Sequence, residues 1–331
     1  MSIVILGAGA LGSVLGAGFA DAGADVTLVG RSAHIEAIRA DGLQVDGVRG
    51  RRVSRGLKAT ADPCDVKAAN VLMLCTKSYD TREALASVAY LRGRVGAALS
   101  LQNGARKDEE LAEAFGREAV LGAATLVGGA IMGPGWVRHT NDGSTWLGEF
   151  DGRRTPRVEA IAELFRTAAF PVEIVPDIRS TTWCKLNQMV PAALLACLTR
   201  LPIHRIYLED DLARLFVELS REVAAIAPRL GLELVDLPGS NVKSVCTLPF
   251  DAAVDAIKAR GRAMQRRGMT EVKISTLQDL ERGKRTESEQ VIGHVVRLAA
   301  QHGVAVPRLE LCYRILRGVE SCADAAGARA A

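Results

Sequence analysis

The first apolar cluster of the chain is short and unbroken: Ile3, Val4, Ile5 and Leu6 follow one another with no polar residue between them. Such a run suits a strand buried on both faces of a sheet. Gly7, Gly9 and Gly12 come directly after it, and Leu11, Val14, Leu15, Ala17 and Phe19 then supply the apolar face of a tightly packed helix. Buried-strand patterns return at 26–29 (VTLV), 70–75 (NVLMLC) and 97–102 (AALSLQ), and a helix is expected over 33–40 after Ser32 as its cap. Strands of this kind alternating with helices predict a doubly wound, mainly parallel α/β sheet.

Between 119 and 150 the pattern changes to glycine and β-branched residues, with turns at 133–135 and 141–143, and predicts antiparallel strands. An amphipathic helix over 159–169 and a last strand over 171–175 complete this half. Arg49, Arg51 and Arg52, after the Asp41-Gly42 turn, read as a solvated surface. From 178 onward long helical periods follow one another at 180–199, 209–230, 251–267, 287–302 and 308–320, so the second half is expected to be all-α. The expected division is a dinucleotide-binding domain over 1–176, a helical domain over 177–320 and a frayed tail over 321–331.

The spacing of Gly7, Gly9 and Gly12 is G-x-G-x-x-G, placed between a strand and a helix. Gly7 allows a tight turn, Gly9 lets a pyrophosphate approach the backbone, and Gly12 lets helix and strand pack closely. Ala8, Ala10 and Leu11 complete the cradle, whose helix start offers N–H groups and a positive dipole end to phosphate. Where an NAD-preferring site would place an acid after the second strand, this chain has Gly30 and Arg31. A guanidinium–phosphate contact is worth roughly 1.5–3 kcal/mol, which favours NADPH; the plainer reading of Arg31 is a solvated loop arginine. Lys77 and Asn103 stand at the carboxyl ends of strands, where ligands sit in open α/β sheets, though either also reads as an ordinary polar loop residue.

Composition adds exclusions. The 331 residues are 48% hydrophobic and 24% charged, with a net charge of +4, which suits an anionic small molecule and does not call for nucleic acid. The 7 cysteines are scattered without metal spacing and read as mostly buried residues in a reducing compartment; no zinc or other metal is expected. The uncharged stretch 2–20 lacks the basic flank of a leader, so a cytoplasmic protein with no membrane partner is expected. Thr286 and Glu289 have capping-box spacing, which places Glu287 in a first helical turn, where the helix dipole favours an ionised carboxylate.

GAGALG at 7–12, Arg31, CTK at 75–77, QNG at 102–104, W-x-K-L at 183–186, and STLQD followed by RTE together resemble the ketopantoate reductase family. The resemblance covers nearly the whole chain. It implies a Rossmann domain followed by a helical domain, a cleft between them, and NADPH delivering hydride to the C2 carbonyl of a 2-oxo acid, most directly 2-dehydropantoate. It implies Lys185 as general acid, Glu287 holding the reacting oxygen or Lys185 beside the cofactor, and Ser275 holding the substrate carboxylate. Lys77 and Asn103 would line the nicotinamide and substrate side. Helical second domains of this kind often associate, which keeps a homodimer open, although no stripe here specifies one.

One departure stands out. The family places asparagines four and eight residues after the lysine, whereas this chain has Met189 and Ala193, with Pro191 unusually close. Asn187, or Asn241 from elsewhere, is left open as a substitute for substrate binding. The missing asparagines keep a second reading alive, a related NADP-dependent dehydrogenase for a less polar 2-oxo or imino acid. A third reading is a non-catalytic NADPH-binding regulator, against which the retained Lys185, Ser275 and Glu287 argue.

Overall fold

The computed structural model describes residues 1–330, with side chains described through Cys322. Two units follow one another, Met1–Arg179 and Ser180–Ala331. In the first, β1 (Ser2–Leu6), β2 (Asp25–Val29), β5 (Lys58–Thr60), β6 (Ala69–Leu74) and β7 (Val95–Ser100) form one parallel sheet in the order β5-β2-β1-β6-β7. Its central strand is buried on both sides, which explains the unbroken apolar run. Ile3 and Ile5 share a core with Val14 and Leu15 of α1 (Ala10–Asp21). Val4 and Leu6 share another with Leu85 of α3 (Thr81–Ser87) and with Leu111 and Phe115 of α4 (Lys107–Phe115). Each such side chain taken fully out of water contributes about 1.5–3 kcal/mol.

The stretch expected to be simply antiparallel is divided between two further sheets. β9 (Gly128–Gly133) and β10 (Trp136–Asn141) form the expected hairpin, but β10 also pairs in parallel with β3 (Leu43–Gly47), which carries β4 (Arg52–Ser54) on its other edge. β8 (Gly122–Thr125) and β11 (Thr145–Gly148) are antiparallel, and β12 (Val172–Ile174) adds in parallel to β11. α5 (Pro156–Thr167) is capped by Thr155, whose Oγ1 accepts from Val158 N–H, and presents Ile161, Ala162 and Phe165 to the core.

Two local expectations are corrected here. Ser32 does not cap α2 (Ser32–Asp41): it is the first helical residue, and Arg31 holds the cap position without a side-chain bond. Arg49 is not a solvated arginine. Its guanidinium bonds Asp142 (2.6 Å) and the carbonyls of Ala168 (2.9 Å) and Ala169 (2.6 Å), and lies 4.2 Å from the Phe170 ring centroid. Ala169 has a left-handed φ of 58°, so Arg49 ties down a strained helix exit.

The second unit is helical: α6 (Ile178–Thr199), α7 (Ile203–Leu208), α8 (Asp210–Ala224), α9 (Val242–Thr247), α10 (Phe250–Arg266), α11 (Ser275–Glu281), α12 (His294–Gln301) and α13 (Pro307–Ala330). α10 packs on α7, α8 and α9, and α13 packs on α8. The buried residues Ala213, Phe216, Val217, Ser220, Val223 and Ala224 recur on α8 at three- and four-residue steps, as one face turned to a core requires. The helix expected over 209–230 ends at Ala224, and a short 3-10 turn covers Ala227–Leu230. The tail expected to fray continues α13 as helical backbone as far as Ala330, while Ala331 lies outside the described residues.

α6 continues as helix through Pro191. Before α12 the chain makes a wider, π-helical turn over Glu289–Gly293. Of the cysteines, Cys184, Cys197 and Cys312 are buried, Cys75 and Cys246 are half-buried, and Cys64 and Cys322 are exposed; burial pushes the Cys75, Cys197 and Cys246 thiols up to about 12. Among the described residues no helix is long and apolar enough to cross a membrane.

Candidate active site

In the α/β unit the polypeptide leaves β1 in one direction, toward β2, and later crosses to β6 on the other side. The carboxyl ends of β1 and β6 therefore flank the crevice in which open sheets of this kind bind ligands. The glycine turn closes that end of β1. Gly7 has a φ of +109°, and a Cβ there would lie 2.5 Å from Thr76 N and 2.7 Å from Cys75 C, inside the backbone that follows β6. At Gly12 a Cβ would come 2.2 Å from Gly7 O, so only glycine lets α1 start so near the strand.

Gly9 is the opposite case. It occupies the cap position of α1 with an extended backbone (φ −83°), and a Cβ there would meet nothing within 4 Å. No side chain caps this helix, and its first turn holds no acid. Its leading N–H groups, at Ala10, Leu11 and Gly12, thus lack the carbonyls of a preceding turn, with nothing anionic in the first turn of the helix to compete for them. The cradle fits a pyrophosphate. Ala8 N–H and Gly7 N–H both donate to Val29 O (2.8 and 2.9 Å), which ties the cradle to the end of β2.

Arg31 follows that strand end directly. Its side chain is 92% exposed, and Nη2 lies 3.5 Å from Asp80 Oδ2. One turn into α2, His34 is buried: its Nδ1 accepts from Gly135 N–H (3.0 Å), so Nε2 carries the proton and faces Ser13 Oγ of α1 (3.1 Å). Burial holds the His34 imidazole below its usual range, in the neutral form that this bonding needs.

Lys77 and Asn103 are half-buried, at the ends of β6 and β7. The residue between those strand ends that organises them is Gln102. Its Nε2 donates to Thr76 O (3.0 Å), Thr76 Oγ1 (3.1 Å) and Thr81 Oγ1 (2.8 Å), while its Oε1 accepts from Ser100 Oγ (2.9 Å). Sequence reasoning had the QNG motif but gave Gln102 no task. Its apolar neighbours on a buried strand were the available clue, since a buried amide must find partners.

In the helical unit Lys185 is 8% exposed, between the still more deeply buried Trp183 and Leu186 on α6. An ordinary helix lysine would hold its amine in water. Glu287 is also 8% exposed and stands two residues before the π-helical turn, its carbonyl accepting from Val291 N–H (2.9 Å). The expected capping box does not form. Thr286 Oγ1 accepts from Ser288 N–H (3.2 Å), and the Glu289 carboxylate is taken by Tyr313 Oη and Arg297 Nη1. Those partners hold the Glu289 carboxyl below the usual range, and burial with the same bond pushes the Tyr313 hydroxyl up to about 12.

The turn that carries Glu287 is fixed from a distance. Glu320 of α13 accepts from Thr286 Oγ1 and from Ser288 Oγ (2.8 Å), gripping the residues on either side of Glu287. Nothing near Glu287 in sequence points to it. Ser275 is exposed, at the first position of α11. Asn187 is wholly buried, and its Nδ2 donates to Ser220 O (2.9 Å) of α8. Asn241 is exposed before α9, while Ala193 is buried within α6. Among the described residues no group of three or more His, Cys, Asp or Glu side chains could hold a metal ion.

Two family descriptions match the chain: Ketopantoate reductase PanE/ApbA over residues 3–152, and Ketopantoate reductase PanE/ApbA C terminal over residues 177–320. A 2-dehydropantoate 2-reductase of Archaeoglobus fulgidus is 32% identical over 321 residues, which span 96% of this chain and 98% of that protein. A solved PanE/ApbA family ketopantoate reductase from Ralstonia eutropha JMP134 is similar with a TM-score of 0.80 at 28% identity, covering 98% of this chain and 99% of that one. D-mandelate dehydrogenase, solved with NADH and anilino(oxo)acetate, reaches a TM-score of 0.84 at 19% identity over 98% of this chain and 100% of that one, a likeness of fold.

Proposed function

The chain belongs to the ketopantoate reductase family and is an oxidoreductase of that family, and from this we propose that it reduces a 2-oxo acid to a 2-hydroxy acid with NADPH. The leading substrate is 2-dehydropantoate, which would place the enzyme in pantothenate biosynthesis. The observation that carries this reading is a lysine amine held in a nearly buried helix position, on a chain whose other unit presents an uncapped glycine-rich helix start.

The N–H groups of Ala10, Leu11 and Gly12 would hold the pyrophosphate, and Arg31 the 2′-phosphate. When bound, the nicotinamide supplies a hydride to the C2 carbonyl carbon. Negative charge then grows on the carbonyl oxygen. The Lys185 ammonium stabilises that charge and gives up its Nζ proton, a type of step typically worth on the order of 10²–10⁴ in rate. Glu287 orients the lysine or the reacting oxygen, Ser275 takes the substrate carboxylate, and Lys77 and Asn103 face the nicotinamide side.

A second reading keeps the chemistry and changes the substrate. Met189 and Ala193 stand where the family pattern has asparagines, and Asn187 spends its amide on Ser220 O. A less polar 2-oxo acid, or an imino acid, would suit those apolar positions. The deciding experiment follows loss of reduced-nicotinamide absorbance over a panel of 2-oxo acids that includes 2-dehydropantoate. Turnover of 2-dehydropantoate at micromolar KM supports the first reading. Preference for an aliphatic 2-oxo acid supports the second, and no substrate-dependent oxidation with any member would overturn both.

A further inference from the structure

Two residues after Glu287 the chain widens into the π-helical turn Glu289–Gly293, which leads directly into α12. Turns of this kind are rare, gather at functional sites and hold one residue more than an α-helical turn. Closing it to the ordinary register would expel that residue and rotate the chain ahead of it by roughly 100° about the helix axis. α12 is anchored by the buried Val295 and Ala299, so the rotation would fall on the segment that bears Glu287.

Bonds at both ends of the turn oppose that closure. At its first residue the Glu289 carboxylate accepts from Tyr313 Oη and Arg297 Nη1, and Glu289 O accepts from Arg297 Nη2 (3.2 Å). At its last residue Gly293 lies against the same tyrosine: a Cβ there would fall on the Tyr313 hydroxyl, with Cζ only 2.9 Å away. Tyr313 therefore touches the first and last residues of the turn at once.

The two partners of Glu289 are unequal. The Arg297 and Glu289 side chains are 51% and 47% exposed, and an ion pair open to water holds little. Tyr313 is 7% exposed, so its bond to the carboxylate is shielded as well as charge-assisted. Tyr313 and Glu320 are seven positions apart, which puts them on one face of α13. That face holds Thr286 and Ser288 through Glu320, and Glu289 through Tyr313.

We propose that Tyr313 is a positioning residue for Glu287: by binding Glu289 and lying against Gly293, its hydroxyl keeps the turn in the wider register, and that register sets where the Glu287 carboxylate points. The inference rests on the role given to Glu287 in the reduction proposed above.

Steady-state oxidation of NADPH by the full chain tests it, with 2-dehydropantoate or whichever member of the 2-oxo acid panel turns over fastest. All rates are taken well below the lowest thermal midpoint of the variants. Tyr313→Phe removes one oxygen atom and should lower kcat about five- to twentyfold, with KM for the 2-oxo acid changed less than about threefold. In a Glu287→Gln background the same change should lower kcat less than about twofold, because the group it positions is gone. A bond serving stability alone would lower the thermal midpoint and act equally on kcat in both backgrounds. Glu289→Ala should match Tyr313→Phe, and Glu289→Gln, whose amide oxygen still accepts from the hydroxyl, should recover most of the loss.

The proposal is overturned if folded Tyr313→Phe keeps the wild-type kcat, or loses the same factor with and without the Glu287 carboxylate. Should Tyr313→Phe not fold, or Glu287→Gln be too slow to measure, the Glu289 pair decides, and equal kcat for Glu289→Ala and Glu289→Gln overturns it. A Glu287→Gln protein with wild-type kcat removes Glu287 from the reacting centre and this inference with it, while the reduction itself still stands. A wild type that oxidises NADPH with no member of the panel overturns both.

Discussion

Arg31 Nη2 lies 3.5 Å from Asp80 Oδ2, so the arginine that follows β2, proposed above to hold the 2′-phosphate, already faces a carboxylate. The pair is open to solvent, and exposed pairs contribute at most about 1 kcal/mol. A 2′-phosphate arriving there must replace Asp80 as the partner of Arg31 and stay near its negative charge. Asp80→Asn should therefore lower the Kd for NADPH about two- to fivefold and leave that for NADH nearly unchanged. Arg31→Ala should raise the NADPH Kd about tenfold. Fluorescence titration with both cofactors measures this, and an NADPH affinity indifferent to both changes would remove Arg31 from the cofactor site.

The three glycines of the cradle should respond differently to the same methyl group. Gly7→Ala places a Cβ against Thr76 N at a positive φ and should cost at least about 2 kcal/mol of stability. Gly9→Ala meets open space in an ordinary extended conformation, so the thermal midpoint should stay close to that of the wild type. The new methyl would occupy the place proposed for the pyrophosphate, and NADPH binding should weaken by more than about tenfold. A Gly9→Ala protein that binds NADPH normally would show that the cofactor's phosphates lie elsewhere.

Lys185→Met keeps an unbranched side chain one atom shorter and removes its charge and its proton. Steady-state kcat should fall by about 10²–10⁴ on the best substrate, with the Kd for NADPH unchanged. An unaltered kcat would reassign the acid.

Glu320 should matter to catalysis without touching a reactant. Its carboxylate grips Thr286 and Ser288, and releasing them frees the turn that presents Glu287. Glu320→Ala should lower kcat between about tenfold and a hundredfold. Glu320→Gln, whose amide oxygen can still accept from one hydroxyl, should recover part of the loss. A merely destabilising role would instead give equal catalysis at temperatures where both variants remain folded.

The neutral imidazole of His34 gives the α/β unit a pH dependence of known sign. Its folded pKa is depressed below the ordinary 6.5, so the unfolded chain takes up a proton first as the pH falls. The contribution of His34 is complete above about pH 6.5 and is lost as the pH falls through its folded value. Protonating Nδ1 also removes the acceptor for Gly135 N–H. The thermal midpoint of the wild type should drop from pH 7.5 to pH 5 more steeply than that of His34→Gln. Parallel curves would deny His34 this role.

What could be read along the chain was whatever is written in neighbouring residues. The β1–cradle–α1 segment was legible because strand burial, glycine spacing and helix packing all lie within about twenty positions of one another. The parallel partnership of β10 with β3 was not, because a register that joins residues some ninety positions apart leaves no local trace. The capping box failed for a similar reason. Glu289 had the right spacing from Thr286, but its carboxylate is held by Tyr313 on α13 and by Arg297 instead. The unusual apolar setting of Lys185 was visible from Trp183 and Leu186, whereas Glu320, which governs its proposed partner Glu287, was beyond any local pattern.

The fourfold bonding of Gln102 has a consequence for altering this protein. One amide fastens the exits of β6 and β7 to the start of α3, so the segments bearing Lys77 and Asn103 are mechanically a single piece. Transplanting either loop from another protein would slacken both unless the amide and its three hydroxyl partners travel with it. A chimera that preserves Ser100, Gln102, Thr76 and Thr81 is the smallest exchangeable cassette the architecture permits.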